Sequence, residues 1–246
     1  MTAPRSDRRS STAVVVVLLA IVAFAIARGS IHLSEGQVVF FAVLIPSIIL
    51  HEVSHGYVAK LFGDDTAEKA GRLTLNPIAH IDPFGSIILP AILIFTAGAG
   101  FGYAKPVPVN PRKMRHPRNH SLLTSLAGPA VNIVLAVAVG LTVRFTMTHG
   151  QIYDAVSGTR GAPIGQVVLV NFGLVNVFLA AFNLIPIPPL DGSAVVERLL
   201  PLRLWPSYLR IRQYSMLLVF FVIFAYRGAL DHVFNPAINL WSRLLG

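Results

Sequence analysis

The sequence predicts an all-α polytopic membrane protein, and three observations carry that prediction: its composition, its repeated apolar runs, and the placement of its basic residues. Of 246 residues, 54% are hydrophobic and only 13% charged, with a mean hydropathy of +0.66, where soluble chains carry about 25% charged residues. Crossing a bilayer takes about 20 predominantly apolar residues. Runs of that kind occur at 11–27, 36–62, 121–143 and 165–185, with a shorter one at 213–226. The expectation is about five transmembrane helices.

Residues 1–11 are basic and precede the first apolar run, but no clean Ala-x-Ala site follows, so that run is expected to be a retained span. Between the second and third runs, residues 83–104 are uncharged and broken by Pro83, Pro90 and four glycines. Basic residues flank this stretch on both sides, among them Lys60, Lys69 and Arg72 before it and Lys105, Arg112 and Arg118 after it. The positive-inside rule puts both flanks in the cytoplasm, so the segment is expected to be re-entrant or extended; a true crossing would make six spans. With five spans and the amino terminus inside, fifteen of the twenty basic residues are cytoplasmic, all but Arg28, Arg144, Arg160, Arg227 and Arg243.

The formal charge of +9 therefore points to anionic lipid headgroups and not to nucleic acid. Cysteine is absent, which excludes disulfides and thiolate ligands, so any metal must be held by histidine and carboxylate. No repeat or soluble module is expected: residues 1–246 read as one membrane domain with a core at about 36–196, and the longest extramembrane stretches are too short for an independent core. The tail containing Asn235-Pro236 and then 237–245 reads as an interfacial amphipathic helix.

The second apolar run contains His51-Glu52-Val53-Ser54-His55. Ionisable groups in a span are costly unless they pair, meet water or bind metal. Histidines four apart lie about 40° apart around a helix and one turn apart along it, so both imidazoles reach one ion. Glu52 lies about 100° from His51, placed to hold a water beside the metal as general base and then proton donor to the leaving amine. By this chain's own composition, such a motif arises by chance about 0.004 times.

A catalytic zinc site takes three protein ligands and leaves one position open. Among the few remaining carboxylates, Asp191 follows a long apolar segment within Asn183-Leu184-Ile185-Pro186-Ile187-Pro188-Pro189-Leu190-Asp191-Gly192. Asp-Gly alone suits a surface turn. The three prolines force a broken path, however, which a membrane tolerates only around a buried site, and beside the histidine motif the ligand reading prevails.

These two motifs, in this order, resemble the site-2 protease family of intramembrane zinc metalloproteases, whose signatures are His-Glu-x-x-His and an Asn-Pro-x-Pro-x-x-Asp-Gly-like motif. The spacing from Asn183 to Asp191 departs from the family's. Gly128 to Asn132 also resembles the Gly-x-x-x-Asn pattern of its third core helix. The resemblance covers most of 50–196.

It implies one zinc ion on His51, His55 and Asp191, Glu52 as the catalytic base, and cleavage of a peptide bond in or near a transmembrane helix of a membrane-protein substrate. It also implies Asn132 or Asn183 as a donor to the carbonyl oxygen of the scissile peptide, with interhelical bonding and backbone capping as their alternative roles. Residues 72–77 and 103–111 alternate between prolines and asparagines and are expected to be extended, as in the family loop that accepts substrate as an added strand. His80 and Asp82 are expected to cap a turn. The implied location is the plasma membrane, with the active site toward the cytoplasm. Two rival readings remain, a metal carrier and a catalytically silent helix-binding homologue; the oligomeric state has no sequence signal.

Overall fold

The structure is a computed structural model that describes residues 35–82, 105–157, 161–215 and 230–246, together with 217, 219, 221 and 228. The first apolar run, the re-entrant stretch 83–104 and most of the run at 213–226 lie outside the described residues. What is described is helical: α1 (Glu35–Leu61), α2 (Thr66–Lys69), α3 (Pro117–Thr146), α4 (His149–Ser157), α5 (Ile164–Asn183), α6 (Ser193–Leu199), α7 (Trp205–Arg212) and α8 (Asp231–Leu245). Three of these, α1, α3 and α5, are long and apolar enough to cross a membrane, and they coincide with the second, third and fourth apolar runs.

No β-strand forms among the described residues. The stretches expected to be extended, 72–77 and 103–111, form no ladder where described: 72–76 and 105–110 are irregular and lead into single 3-10 turns at Pro77–Ala79 and Pro111–Lys113, capped by the side chains of Asn76 and Asn110, which accept from Ile78 N and Arg112 N. Proline at the first position of each turn supplies the fixed φ and needs no donor.

The chain divides into two compact units, 1–38 with 76–106 and 39–75 with 107–246. In the first, the described residues are 35–38, 76–82 and 105–106, and Lys105 N donates to His80 O at 2.9 Å. The second holds the helical bundle.

On α1 a buried stripe falls four apart, at Val39, Val43, Ser47, His51, His55 and Ala59, with Ile49, Val53 and Gly56 buried beside it. Val38, Phe41, Ile45, Tyr57 and Leu61 are on the outside. The same spacing recurs on α3, where Thr124, Gly128, Asn132, Ala136 and Gly140 are buried, and α5 turns Val167, Val170, Gly173, Asn176 and Ala180 inward. Lipid is as apolar as leucine, so burial alone does not drive these helices together; small residues that allow close packing and polar residues that bond across the interface do. Both histidines therefore belong to the bundle-facing stripe of α1.

Helix α8 covers the tail expected to be an interfacial amphipathic helix. It packs into the groove between α3 and α5. Trp241, 6% exposed, lies over two glycines: a Cβ at Gly173 would sit 2.4 Å from its Cζ2, and one at Gly140 would sit 2.9 Å from its Nε1. The indole N–H donates to Ala136 O at 2.7 Å, and Arg144 Nη1 donates to Leu244 O at 3.2 Å. A glycine pair on two different helices carries no sequence label as a tryptophan socket, which is why the tail's amphipathic pattern alone points to the interface.

Replacing Trp241 with alanine empties that socket and is expected to destabilise the bundle by about 3 kcal/mol, whereas Trp241→Phe, which forfeits mainly the indole hydrogen bond, costs about 1 kcal/mol. Thermal unfolding of the detergent-solubilised protein checks the order; equal losses for the two variants would refute this account of the socket.

Candidate metal centre

His51 and His55 project from α1 with their rings edge to face, centroids 4.8 Å apart. Asp191 arrives from the broken segment after α5. Its Oδ2 lies 3.0 Å from His51 Nε2 and 3.4 Å from His55 Nε2, and one ligand atom from each residue lies within 4.8 Å of the other two. Metal–ligand bonds of about 2.0–2.1 Å in a tetrahedron place ligand atoms about 3.3 Å apart, so the donor set fits a small divalent ion. Among the described residues this is the metal-capable cluster, and it gathers the three ligands expected from the sequence.

The segment carrying Asp191 is held by its backbone. Gly192 N donates to Asn183 O at 2.7 Å, and Ser193 N and Ala194 N donate to Leu190 O and Asp191 O, opening α6. A Cβ on Gly192 would lie 2.2 Å from Leu184 O, so the glycine beside the aspartate is required by close approach of the chain to itself. The far end of α6 is tied to the start of α3, because Arg118 Nη2 donates to Arg198 O and Leu200 O, both at 2.9 Å.

Each histidine has its Nδ1 engaged, which leaves Nε2 toward Asp191. His55 Nδ1 donates to Thr124 O at 2.7 Å, a carbonyl that can only accept. His51 Nδ1 donates to Asn132 Oδ1 at 2.5 Å. Such outer partners fix the tautomer of a metal-binding imidazole and raise its basicity. Gly128 completes the cradle: a Cβ there would stand 2.5 Å from His55 Nε2 and 2.6 Å from His51 Nε2. The space in front of both ligand nitrogens exists because α3 has no side chain at that position.

The two asparagines expected near the reacting carbonyl are both occupied. Asn132 gives its oxygen to His51 and its amide to Asn176 Oδ1 at 2.7 Å, and Asn183 Nδ2 bonds back to Leu179 O at 3.0 Å. For either to contact substrate, it would have to exchange those bonds. Two further residues behind the site, Asn176 and Ser47, have no place in the sequence analysis, nor does Asp64 at a greater remove. A polar side chain inside an apolar span was the available signal for Asn176.

Glu52, next to the first ligand, accepts from Val107 N with Oε2 at 2.8 Å. Oε1 has no partner among the described residues. Val107 reaches this position because α1 has Gly56, whose absent Cβ would meet Leu73, Val107 and Ala67 at 2.5–3.1 Å. Three residues on, Asn110 N donates to Asp64 Oδ2 at 2.5 Å, and Asp64 Oδ1 accepts from Thr66 N and Thr66 Oγ1.

Asp64 is fully buried. Burial disfavours its charge, but the hydrogen bonds from Thr66 and Asn110 outweigh that and hold its carboxyl below the ordinary range. Exposed Asp65 is brought down to about 2 by Lys113 and Lys69. Arg72 is also buried; burial pushes its guanidinium down while the Glu52 carboxylate opposes that.

The fold and the site together define an integral membrane protein built around a two-histidine, one-carboxylate metal centre. The model of peptidase family M50 matches residues 39–226, so the chain belongs to that family, the site-2 protease family. Among its relatives, "Putative zinc metalloprotease YwhC" of Bacillus subtilis is 42% identical over 74% of this chain and 77% of its own. "Putative zinc metalloprotease Rip2" of Mycolicibacterium smegmatis is 31% identical over 79% of this chain and 66% of its own. "Zinc metalloprotease MJ0392" of Methanocaldococcus jannaschii is 25% identical over 76% of this chain and 40% of its own. No solved structure gives a significant match. The protein is a site-2-type metalloendopeptidase, its metal is zinc, and the donor set above fits that ion.

Alanine at Gly128 is expected to keep the helix and lose the ion: its methyl enters the space of both Nε2 atoms, so zinc affinity falls by more than about tenfold while circular dichroism is unchanged. Metal analysis after dialysis against a chelator decides it. The carboxylate clasp gives a pH effect. Because the Asp64 and Asp65 carboxyls are held low in the folded protein, their contribution is complete above about pH 4 and is lost as pH falls below it, through about 2 for Asp65. Digestion by an acid-active protease should open the chain at 62–75 and 107–116 over that window, with the spans still helical.

Proposed function

We propose that the protein hydrolyses a peptide bond in or near a transmembrane helix of a membrane-protein substrate, with Glu52 as general base. The observation that supports this most is the depth of the site. His51 and His55 lie on the buried stripe of a membrane-length helix, and among the described residues the carboxylate that follows His51 is anchored by one oxygen only. A substrate bond reaching such a site approaches within the bundle.

His51, His55 and Asp191 would hold the zinc ion, which would supply Lewis acidity for the scissile carbonyl and for a water. Glu52 then does the proton work. Val107 N–H fixes Oε2, so Oε1 takes the proton from the attacking water and returns it to the amide nitrogen as the C–N bond breaks. The immediate products are a carboxylic acid and an amine, the acid's proton passes on to the amine, and Glu52 ends ionised as it began. Asp191 and the two tautomer-locked imidazoles hold their positions throughout, so little reorganisation accompanies the reaction.

A helical substrate must unwind before its peptide bond is exposed, and its freed amides then need partners. The stretch 107–110, with Pro108 inside it and Pro106 before it, offers an edge to an extended peptide. The basic residues clustered at the ends of the spans favour a plasma-membrane enzyme with its amino terminus and active site toward the cytoplasm, on an anionic leaflet.

Glu52→Gln keeps the shape and removes the base. The purified variant should bind zinc as the parent does and lose at least about a hundredfold in cleavage of a transmembrane substrate in proteoliposomes. Undiminished cleavage by this variant would end the mechanism.

A further inference from the structure

We propose that Asn176, on α5 and out of contact with the ligand set, is a positioning residue that sets the tautomer of His51 and so makes it a zinc ligand. The proposal rests on His51 holding the ion, as read above.

The two histidines solve one problem by different means. Both need a proton on Nδ1 and a bare lone pair on Nε2. For His55 the backbone settles it, because Thr124 O can only accept. His51 faces Asn132, whose amide presents either an acceptor or a donor depending on which way it is turned. With the oxygen toward His51, Nδ1 carries the proton. With the amide group toward it, Nδ1 must accept, the proton moves to Nε2, and the ligand lone pair is gone.

A directed chain of hydrogen bonds removes that freedom. It starts at two backbone carbonyls. Ser47 Oγ donates to Val43 O at 2.8 Å, so its oxygen is left to accept. Asn176 Nδ2 fills that role at 3.0 Å and gives its other proton to Phe172 O at 2.8 Å. Both amide protons of Asn176 are thereby committed, and its Oδ1 faces the other way, where it accepts from Asn132 Nδ2 at 2.7 Å. Asn132 is therefore held with its oxygen on His51. Asn132 and Asn176 are fully buried, as is Ser47, so no water competes for these bonds. The polarity runs one way, from acceptor-only carbonyls to the imidazole, through residues on α1, α5 and α3.

A residue that merely packs predicts something different from one that orients Asn132, and a double-mutant cycle on metal affinity separates them. In the full-length protein in detergent, N176A frees the Asn132 amide to turn and should weaken zinc binding by about 10–100-fold in chelator competition. In the N132D background both side-chain oxygens accept, no orientation is left to set, and N176A should change affinity by less than about threefold. Equal losses in the two backgrounds would overturn the proposal.

Should N132D fail to fold, histidine nitrogen NMR of the zinc-loaded protein decides by itself. The Nδ1–H of His51, bonded to Asn132, is a slowly exchanging, downfield proton in the parent and is lost or shifted in N176A; a parent-like His51 spectrum in N176A would equally refute the relay. Neither readout uses proteolysis, so the result stands apart from the fate of the proposed substrate reaction.

Discussion

Two imidazoles and a carboxylate share one small volume inside a bundle of apolar helices, and their need for a common positive partner constrains everything around them. Burying a carboxylate among apolar helices is costly. That cost is borne because Asp191 Oδ2 stands 3.0 and 3.4 Å from two ring nitrogens, in a geometry that a divalent ion completes. Remove the convergence and three polar groups stand unpaired in a medium without water. The four-residue spacing of the α1 stripe, the missing side chain at Gly128 and the close turn at Gly192 are each consequences of bringing those atoms together.

The same constraint explains why polar residues line the contacts between α1, α3 and α5. An imidazole that must offer Nε2 has to give its other proton to something, and in a membrane interior that acceptor comes from the protein. Thr124 O lies at the right height for His55. One turn deeper, His51 meets only side chains, so a chain of amides carries the acceptor character inward from Val43 O and Phe172 O. These bonds also join three helices at a depth where lipid and side chain are equally apolar and packing alone discriminates weakly between neighbours. The network that orients the ligand is thus part of what holds the bundle in register.

Much of this was legible in the sequence, and for identifiable reasons. Apolar runs name spans because a bilayer has a fixed thickness, and His51, Glu52, His55 and Asp191 stand out because such residues seldom occur there without a purpose. The zinc ligand set follows from residue types that have few other uses in lipid. What escaped were features that depend on three-dimensional approach. Gly128, Gly140 and Gly173 look alike in sequence, yet one faces two imidazoles and the other two face Trp241. The amphipathic tail has the pattern of a surface helix, and its burial depends on a socket made by residues about 70 and 100 positions upstream. Asn132 shows the converse limit: its presence near the site was readable, but which way its amide turns depends on Asn176 and Ser47, whose contribution only the assembled helices display.

The proposed metal ligands and the carboxylate proposed as general base differ in how firmly they are held, and the difference suits the tasks proposed for them. His51, His55 and Asp191 are anchored by helix backbone, by buried amides and by a turn with no room for another atom. Among the described residues, Glu52 is steadied by the backbone N–H of Val107, on a stretch without regular structure that the Asp64 clasp also holds at Asn110. A metal site gains from rigidity, since each displaced ligand weakens the ion's binding. A general base must exchange a proton with two partners in turn, first the water and then the leaving nitrogen, which do not occupy one point. Anchoring one oxygen and leaving the other unpartnered among the described residues lets the carboxylate pivot between them while its distance to the ligands stays fixed. Because the anchoring N–H belongs to the stretch proposed to pair with substrate, the posture of the base depends on that stretch being in place, and Asp64, outside the spans and remote from the ion, becomes one of the residues on which proton transfer relies.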